Sequence, residues 1–230
     1  MHPLFAQSEL SDLVEKVEKG ERLEFEAGVR MMNSQDILAL GYMANLVREQ
    51  KNGNQTYFID NHPINQTKKE DPQALPLSSE EIETAARNDI SMRANTATML
   101  YGHNESTEER IDHLLQLRVQ QDKSRKLQTF IPLPVCPENT KLEGSLGGGN
   151  TTGFEDLKML AISRILLDNV AHIQAFWIML GPKLAQVSLA FGVDDLETSQ
   201  AMSKRAMIHM IDKAGRDAVE RDTLYRVLRT

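Results

Sequence analysis

Two side chains that could bind a ligand lie together at the end of a predicted strand. Tyr101 ends the apolar run Thr96–Tyr101, His103 comes two residues later, and an amphipathic helix is predicted over residues 107–122. In (β/α) barrels, catalytic and binding groups lie at the carboxyl ends of the strands, so this strand–loop–helix unit predicts a binding role for both side chains. The alternative is a polar pair that only satisfies the backbone of the loop.

The single cysteine, Cys136, limits the chemistry of this chain. One cysteine excludes an internal disulfide and cannot hold an iron–sulfur cubane, which takes several thiolates. No base lies near Cys136 in the sequence, so the sequence gives little support for Cys136 as a catalytic nucleophile.

The glycine run at residues 147–149 lacks the Lys-Ser/Thr of a phosphate-binding loop and predicts a flexible loop. Trp177 is predicted to pack in the core.

The composition excludes several classes of protein. The chain has 230 residues, of which 40% are hydrophobic, enough for one core or two small ones. A net charge of −7 without a basic stripe argues against a nucleic-acid partner. No apolar run approaches the roughly 18 residues of a membrane span. Residues 1–20 predict a polar amphipathic helix and not a signal peptide, so we expect a cytoplasmic protein.

The helical and strand patterns divide the chain into three segments. They are a helical segment at residues 1–54, a partial β/α barrel at residues 55–192 and a second helical segment at residues 193–230. Four strands are predicted in the middle segment, at residues 56–59, 96–101, 127–133 and 173–178. Their alternation with helices is typical of a parallel sheet. A complete barrel takes about 250 residues, so the pattern predicts the α/β class and a partial (β/α) barrel.

Several long blocks of the sequence resemble one family, the radical SAM aminodeoxyfutalosine synthases of menaquinone biosynthesis. The blocks are ERLEFEAGVRMM, LGYMANLVREQKNGNQTYF, INQT, RANTATMLYGHNESTEERIDHLLQLRVQQD, LQTFIPLPVCPENT, LKMLAISRILLDNVAHIQAFWIMLGPKLAQVSLAFGVDDL and AGRDAVERDTLYRV. They occur in the family's order and cover most of the chain. Cyclic dehypoxanthine futalosine synthase is the nearest relative in the same pathway, and ATMLYGH favours the aminodeoxyfutalosine enzyme.

The resemblance implies an activity and two cofactors. In the family, a CxxxCxxC motif holds a [4Fe–4S] cluster that cleaves bound S-adenosylmethionine to a 5′-deoxyadenosyl radical. The radical adds to the small-molecule substrate 3-[(1-carboxyvinyl)oxy]benzoate, forming a C–C bond, and loss of bicarbonate gives aminodeoxyfutalosine. The resemblance implies substrate contacts at Asn65, Thr67, Tyr101 and His103, and it leaves the catalytic residues of this chain unassigned.

The chain departs from the family where the cluster should be. Thr67 is followed by Lys-Lys-Glu, with Glu70 at the position of the first cysteine, and the family's strands two to five are missing. We therefore expect this chain to hold no cofactor and no metal, and not to catalyse the radical reaction. The retained strands correspond to one, six, seven and eight, which would form an arc ordered 6-7-8-1.

Two open sheet edges follow from such an arc. Open edges invite pairing, so a homodimer or poor solubility is expected. The alternative function is a non-catalytic half-barrel interaction module, or a remnant, that pairs through these edges. A deletion in the gene sequence is a third interpretation, and the polar connector at residues 70–76 fits all of them.

Overall fold

The structure, a computed structural model, describes residues 3–59, 90–93, 95–102, 105–134, 151–197 and 202–228. Its helices are α1 (Ser11–Glu18), α2 (Phe25–Asn33), α3 (Ile37–Asn52), α4 (Thr107–Ser124), α5 (Gly153–Leu166), α6 (Trp177–Leu180), α7 (Pro182–Ser188) and α8 (Lys204–Lys213). Its strands are β1 (Gln55–Ile59), β2 (Ile90–Arg93), β3 (Thr96–Tyr101), β4 (Thr129–Pro134), β5 (His172–Ala175), β6 (Asp195–Glu197) and β7 (Asp217–Glu220). Within the described ranges, no helix is long and apolar enough to cross a membrane.

The strands form one sheet in the order β2-β3-β4-β5-β6-β1-β7. The pairs from β3 to β7 are parallel, whereas β2 pairs antiparallel with β3. Helices and parallel strands alternate along the chain, and α5 packs against both β4 and β5. The predicted class, a partial (β/α) barrel, is confirmed. The sheet also contains β2, β6 and β7, three strands that the sequence pattern does not predict.

The predicted order of the arc needs one correction. β6 lies between β5 and β1, so the strand that begins at His172 is not the neighbour of the first strand. Because the last strand of a closed barrel lies beside the first, β6 occupies the position of strand eight and β5 that of strand seven. The arc from β3 to β1 therefore corresponds to barrel strands five to eight and one.

The carboxyl-terminal segment is mixed and not wholly helical. α8 agrees with the prediction for residues 193–230, but β6 and β7 flank it on either side. The sequence of β7, DAVE, carries two acidic residues and favours a strand only weakly. It becomes a strand because the edge of β1 supplies its hydrogen bonds. The sequence also predicts a short helix over residues 80–88, opened by a capping box at Ser78 and Glu81, and this range lies outside the described residues.

The main core lies between the sheet and the helices. α3 packs against α5, and α2 packs against both α4 and α5. The sequence predicts a capping box at Ser106 and Glu109, and this box begins α4. The sequence predicts Ser34 as the cap of α3, but the cap is Asp36, since the Asp36 carboxylate accepts from the Ala39 N–H at 3.0 Å. Trp177 belongs to this core, as the sequence predicts.

Alternate side chains of the strands face the other side of the sheet, which is the concave side of a barrel arc. Here Leu100, Ile131, Leu133 and Phe176 form a smaller apolar cluster that is separate from the main core. The neighbouring residue Tyr101 belongs to the main core. The concave face is thus distinct from the face on which the helices pack.

Candidate functional site on the concave face of the sheet

Of the four predicted substrate contacts, Tyr101 is the one that the structure describes. Its ring is fully buried on the helix side of β3, and its hydroxyl donates to Asp156 Oδ1 at 2.7 Å. The Arg110 guanidinium carbon lies 5.5 Å from the centre of the Tyr101 ring. Asn65, Thr67 and His103 lie outside the described residues, so the substrate contacts stay a prediction.

The Tyr101–Asp156 hydrogen bond joins the carboxyl end of β3 to the first turn of α5. Burial raises the pKa of Asp156, while the Tyr101 hydroxyl acts in the opposite direction. The following turn is held to α4, because Glu105 accepts from the Gly102 N–H at 2.6 Å and from Arg110 at 2.5 Å. These contacts fix the strand end that precedes His103.

A polar pair lies on the concave face towards the carboxyl ends of the strands. Gln174 Nε2 donates to Glu197 Oε2 at 3.1 Å, and Glu197 is the last residue of β6. Gln174 is the sheet partner of Asp195, so it lies two residues nearer the amino ends of the strands than Glu197 does. The apolar cluster of Leu133 and Phe176 is carried by the neighbouring β4 and the end of β5. An apolar wall beside a carboxylate and an amide suits a ligand with a flat ring and hydrogen-bond donors.

A second polar group closes the amino end of the same face. The Asp195 carboxylate accepts from Arg221 at 3.0 and 2.5 Å and from the Tyr225 hydroxyl, and Thr129 Oγ1 donates to that hydroxyl at 2.5 Å. Burial raises the pKa of Tyr225 well above its usual value, and the Asp195 carboxylate adds to the shift. Burial alone would lower the pKa of Arg221, but the attraction of Asp195 outweighs it and the pKa is raised.

The His172 ring lies against this group. It stacks on the Tyr225 ring with centroids 4.1 Å apart and an angle of 8°, and it meets Tyr57 edge-on at 4.9 Å. Its Nδ1–H donates to Asp194 Oδ2 at 2.6 Å. Asp194 also accepts from the fully buried Arg164. The histidine is therefore fixed in one orientation by an ion pair behind it and a ring beside it.

Sequence reasoning missed most of this polar group. His172 has no metal-ligand spacing to the other histidines. Tyr225, Asp194 and Asp195 all lie in the carboxyl-terminal segment that is predicted to be helical. The pair of adjacent acids in VDDLE, inside an otherwise apolar stretch, was the available signal. Cys136 and the glycine run at residues 147–149 lie outside the described residues.

The fold is a partial (β/α) barrel whose concave face carries the Gln174–Glu197 pair towards the carboxyl ends of its strands. Solved structures agree on the fold. The chain matches the FeFe-hydrogenase maturase HydG from Carboxydothermus hydrogenoformans with a TM-score of 0.63 and 11% identity, covering 96% of this chain and 81% of that one. It matches methylornithine synthase PylB with a TM-score of 0.60 and 13% identity, covering 90% and 97%.

Sequence relatives are more specific. Residues 124–215 match the family described as the CofH/MqnC C-terminal region. The chain is 44% identical over 149 residues to aminodeoxyfutalosine synthase of Thermus thermophilus, which is 58% of this chain and 40% of the relative. It is 41% identical over 147 residues to cyclic dehypoxanthine futalosine synthase of Streptomyces coelicolor, which is 58% of this chain and 36% of the relative.

A third relative has another activity. The 5-amino-6-(D-ribitylamino)uracil–L-tyrosine 4-hydroxyphenyl transferase 1 of Methanosarcina acetivorans is 44% identical over 150 residues, 57% of this chain and 40% of the relative. The chain spans about two fifths of the length of these relatives. The resemblance to aminodeoxyfutalosine synthases, predicted from the sequence blocks, is confirmed.

Proposed function

We propose that this chain is an aminodeoxyfutalosine synthase-like protein of menaquinone biosynthesis, in the cytoplasm, that binds a nucleoside-like molecule on its concave face. The observation that carries the proposal is the Gln174–Glu197 pair beside the apolar cluster at the carboxyl end of the sheet. Glu197 can accept from a ribose hydroxyl or an adenine amino group, and the apolar wall can receive the base. Asn65, Thr67 and His103 complete the contacts in this proposal, while Tyr101 positions the strand end.

We also propose that this chain does not catalyse the family's radical reaction. The relatives imply that the intact family uses a [4Fe–4S] cluster and S-adenosylmethionine. Such a cluster takes several thiolates, and Cys136 is the single cysteine of the sequence. The donor set of this chain therefore does not fit the cluster, and our proposal contains no reaction step that depends on it.

The binding proposal predicts a defined effect of one carboxylate. Glu197→Gln is expected to weaken binding of 5′-deoxyadenosine by about ten- to a hundred-fold, since a hydrogen bond to a charged acceptor contributes roughly 1.5–3 kcal/mol. Isothermal titration calorimetry measures the change. Glu15→Gln is the matched control, because Glu15 lies on the surface of α1 and pairs with Lys19 at 2.8 Å. Absence of binding by the unaltered protein, or an equal effect of both variants, would contradict the proposal.

The catalytic proposal is tested separately. After anaerobic treatment with iron and sulfide, the protein is supplied with S-adenosylmethionine, a reductant and 3-[(1-carboxyvinyl)oxy]benzoate. We expect no aminodeoxyfutalosine by mass spectrometry, while the Thermus thermophilus enzyme forms it under the same conditions. Product made by this chain would refute the proposed lack of catalysis and would leave the binding proposal to calorimetry.

A second candidate function is pairing through a sheet edge, including a homodimer. It is favoured by β2, a four-residue strand at one edge of the described sheet. Antiparallel edges add strands from other chains readily. Light scattering at increasing concentration measures the mass, and a constant monomer mass would count against this candidate.

A further inference from the structure

We propose that Arg48, Arg216 and Thr56 form a binding site for a small inorganic anion, of the size and charge of chloride, at the amino end of the sheet. The three residues lie near the carboxyl end of α3, in the turn before β7 and in β1. Each has a buried polar side-chain atom without a hydrogen-bond partner among the described residues. The inference is independent of the proposed function, because the site lies on the helix side of the sheet and not on the concave face.

Two guanidinium groups share the same acceptors in this cluster. Arg48 Nε donates to Asn45 Oδ1 at 3.3 Å, and Arg216 Nη2 donates to the same oxygen at 2.6 Å. Arg216 Nη1 also donates to Glu49 Oε1 at 3.2 Å, whereas Arg48 Nη2 lies 3.8 Å from that oxygen, too far for a hydrogen bond. The two cations are therefore neighbours that share one half-exposed carboxylate.

The charges of this cluster do not balance. Arg48 is fully buried, and the Arg216 side chain is 11% exposed. Glu49 supplies one negative charge for these two positive charges, and the nearby Arg164 is neutralised by its own ion pair with Asp194. Burial and the charge of Arg216 lower the pKa of Arg48 to about 10, so its guanidinium stays charged at neutral pH. The described residues thus leave one positive charge uncompensated, and burial makes such a charge costly.

The unpaired atoms lie on residues that are close to one another. Arg48 Nη1 donates to the Gln55 carbonyl at 3.2 Å, which places the guanidinium beside the first residues of β1. Thr56 follows Gln55 and shares a face of the strand with Phe58 of the main core, so it faces the helix side, where Arg48 lies. Thr56 is also the sheet partner of Ala218, which places the turn before β7 beside it.

The three unpaired groups have the chemistry of an anion site. Arg48 Nη2 and Arg216 Nε are N–H groups of charged side chains, and the Thr56 hydroxyl can donate as well. Hydrogen bonds between ionised donors and anions are stronger than those between neutral groups. A monatomic anion with one negative charge would accept from all three groups and balance the charge. Because the three atoms are buried, we expect the site to reject a bulky organic anion such as gluconate.

The dependence of stability on chloride tests the site in the full chain. Chloride replaces gluconate at constant ionic strength, from about 1 to about 100 mM, and urea unfolding gives the equilibrium constant for unfolding. For a dissociation constant of about 10 mM, this constant should fall about ten-fold, because the anion binds the folded state and not the unfolded one. An unfolding constant that is the same in chloride and in gluconate would overturn the proposal.

Arg48→Lys tests whether the chloride acts at this cluster. Lysine keeps the charge but lacks the planar fork of donors, so the effect of chloride should fall to less than about two-fold. Arg30→Lys is the matched control and should keep the whole effect, because Arg30 lies on the surface of α2 and pairs with Asp12 at 2.8 Å. An equal effect of chloride in the two variants would place the anion elsewhere and would overturn the assignment.

Thr56→Val decides the question if Arg48→Lys does not fold. Valine has nearly the shape of threonine, and loss of a buried hydroxyl that has no partner should make the protein more stable. If the hydroxyl donates to the anion, the effect of chloride should instead fall to about three-fold, and the variant should be less stable than the unaltered protein at high chloride. A more stable Thr56→Val variant with the whole chloride effect would contradict the proposed site.

Discussion

Replacing Asp194 with alanine is expected to lower the free energy of unfolding by about 3–5 kcal/mol, because removing one partner of a buried ion pair leaves an uncompensated charge. Asp194 is fully buried and accepts from the Arg164 guanidinium, and the Ile173 N–H donates to the same carboxylate at 2.9 Å. Arg164 is fully buried as well and cannot lose its proton. Urea unfolding followed by circular dichroism measures the loss.

The control for this prediction is a surface pair of the same type. Asp12 pairs with Arg30 at 2.8 Å, and their side chains are 51% and 47% exposed. Asp12→Ala is therefore expected to change the free energy of unfolding by less than about 1 kcal/mol. Comparable losses in the two alanine variants would show that burial does not increase the contribution of the Asp194–Arg164 pair to the free energy of unfolding.

The loss at Asp194 should also depend on pH. Burial would raise the pKa of Asp194, but Arg164 and His172 outweigh it and hold the pKa below the usual 3.8. A carboxylate with a lowered pKa stabilises the fold fully above its unfolded pKa, and this stability is lost as the pH falls towards the folded pKa. The difference between the unaltered protein and Asp194→Asn should thus shrink as the pH falls below about 4.

Replacing Gly192 with alanine is expected to lower the free energy of unfolding by about 2–5 kcal/mol, the sum of backbone strain and a steric clash. Gly192 has a φ angle of +89°, and an added Cβ would lie 2.6 Å from Arg164 Cβ and 3.1 Å from Ala44 Cβ. The clash falls on the residue that pairs with Asp194, and Arg164 Nε also donates to the Gly192 carbonyl at 2.9 Å. Thermal unfolding by calorimetry measures the cost.

Gly20→Ala separates the two contributions. Gly20 has a φ angle of +73°, and a Cβ there would meet nothing within 4 Å. For this variant the free energy of unfolding is expected to fall by about 1–2 kcal/mol, which is the cost of the left-handed backbone alone. If Gly192→Ala lowered the free energy of unfolding no more than Gly20→Ala does, the close approach to Arg164 would contribute nothing to the loss.

The strands that could be predicted are the buried apolar ones. β3 agrees with the prediction residue for residue, and β1 and β4 differ by one or two residues at their ends. These runs are apolar on both faces, as parallel strands covered on both sides are. β6 has three residues, two of them acidic, and β7 is rich in polar residues, so neither shows an apolar strand pattern. They are strands because β1 offers hydrogen-bonding edges that local sequence does not reveal.

The candidate site could be predicted only in part, for the same reason. A strand that is apolar throughout does not show which alternate side chains face the helices, so the sequence could not reveal that Tyr101 faces α5. The concave face also combines residues that lie far apart in the chain. Thr129, His172 and Tyr225 share no motif, and they meet because the sheet and the segment after β7 bring them together.

The position of β1 in the sheet has a consequence for the order in which the protein folds. β1 is synthesised early, but its partners β6 and β7 follow about 140 and 160 residues later in the chain. Contacts of such high sequence separation slow folding, because the long intervening loop must close before they form. While the ribosome is still making β6 and β7, the edges of β1 are unpaired and open to aggregation. Nascent chains of this protein should therefore depend most on chaperones before residue 220 leaves the ribosome.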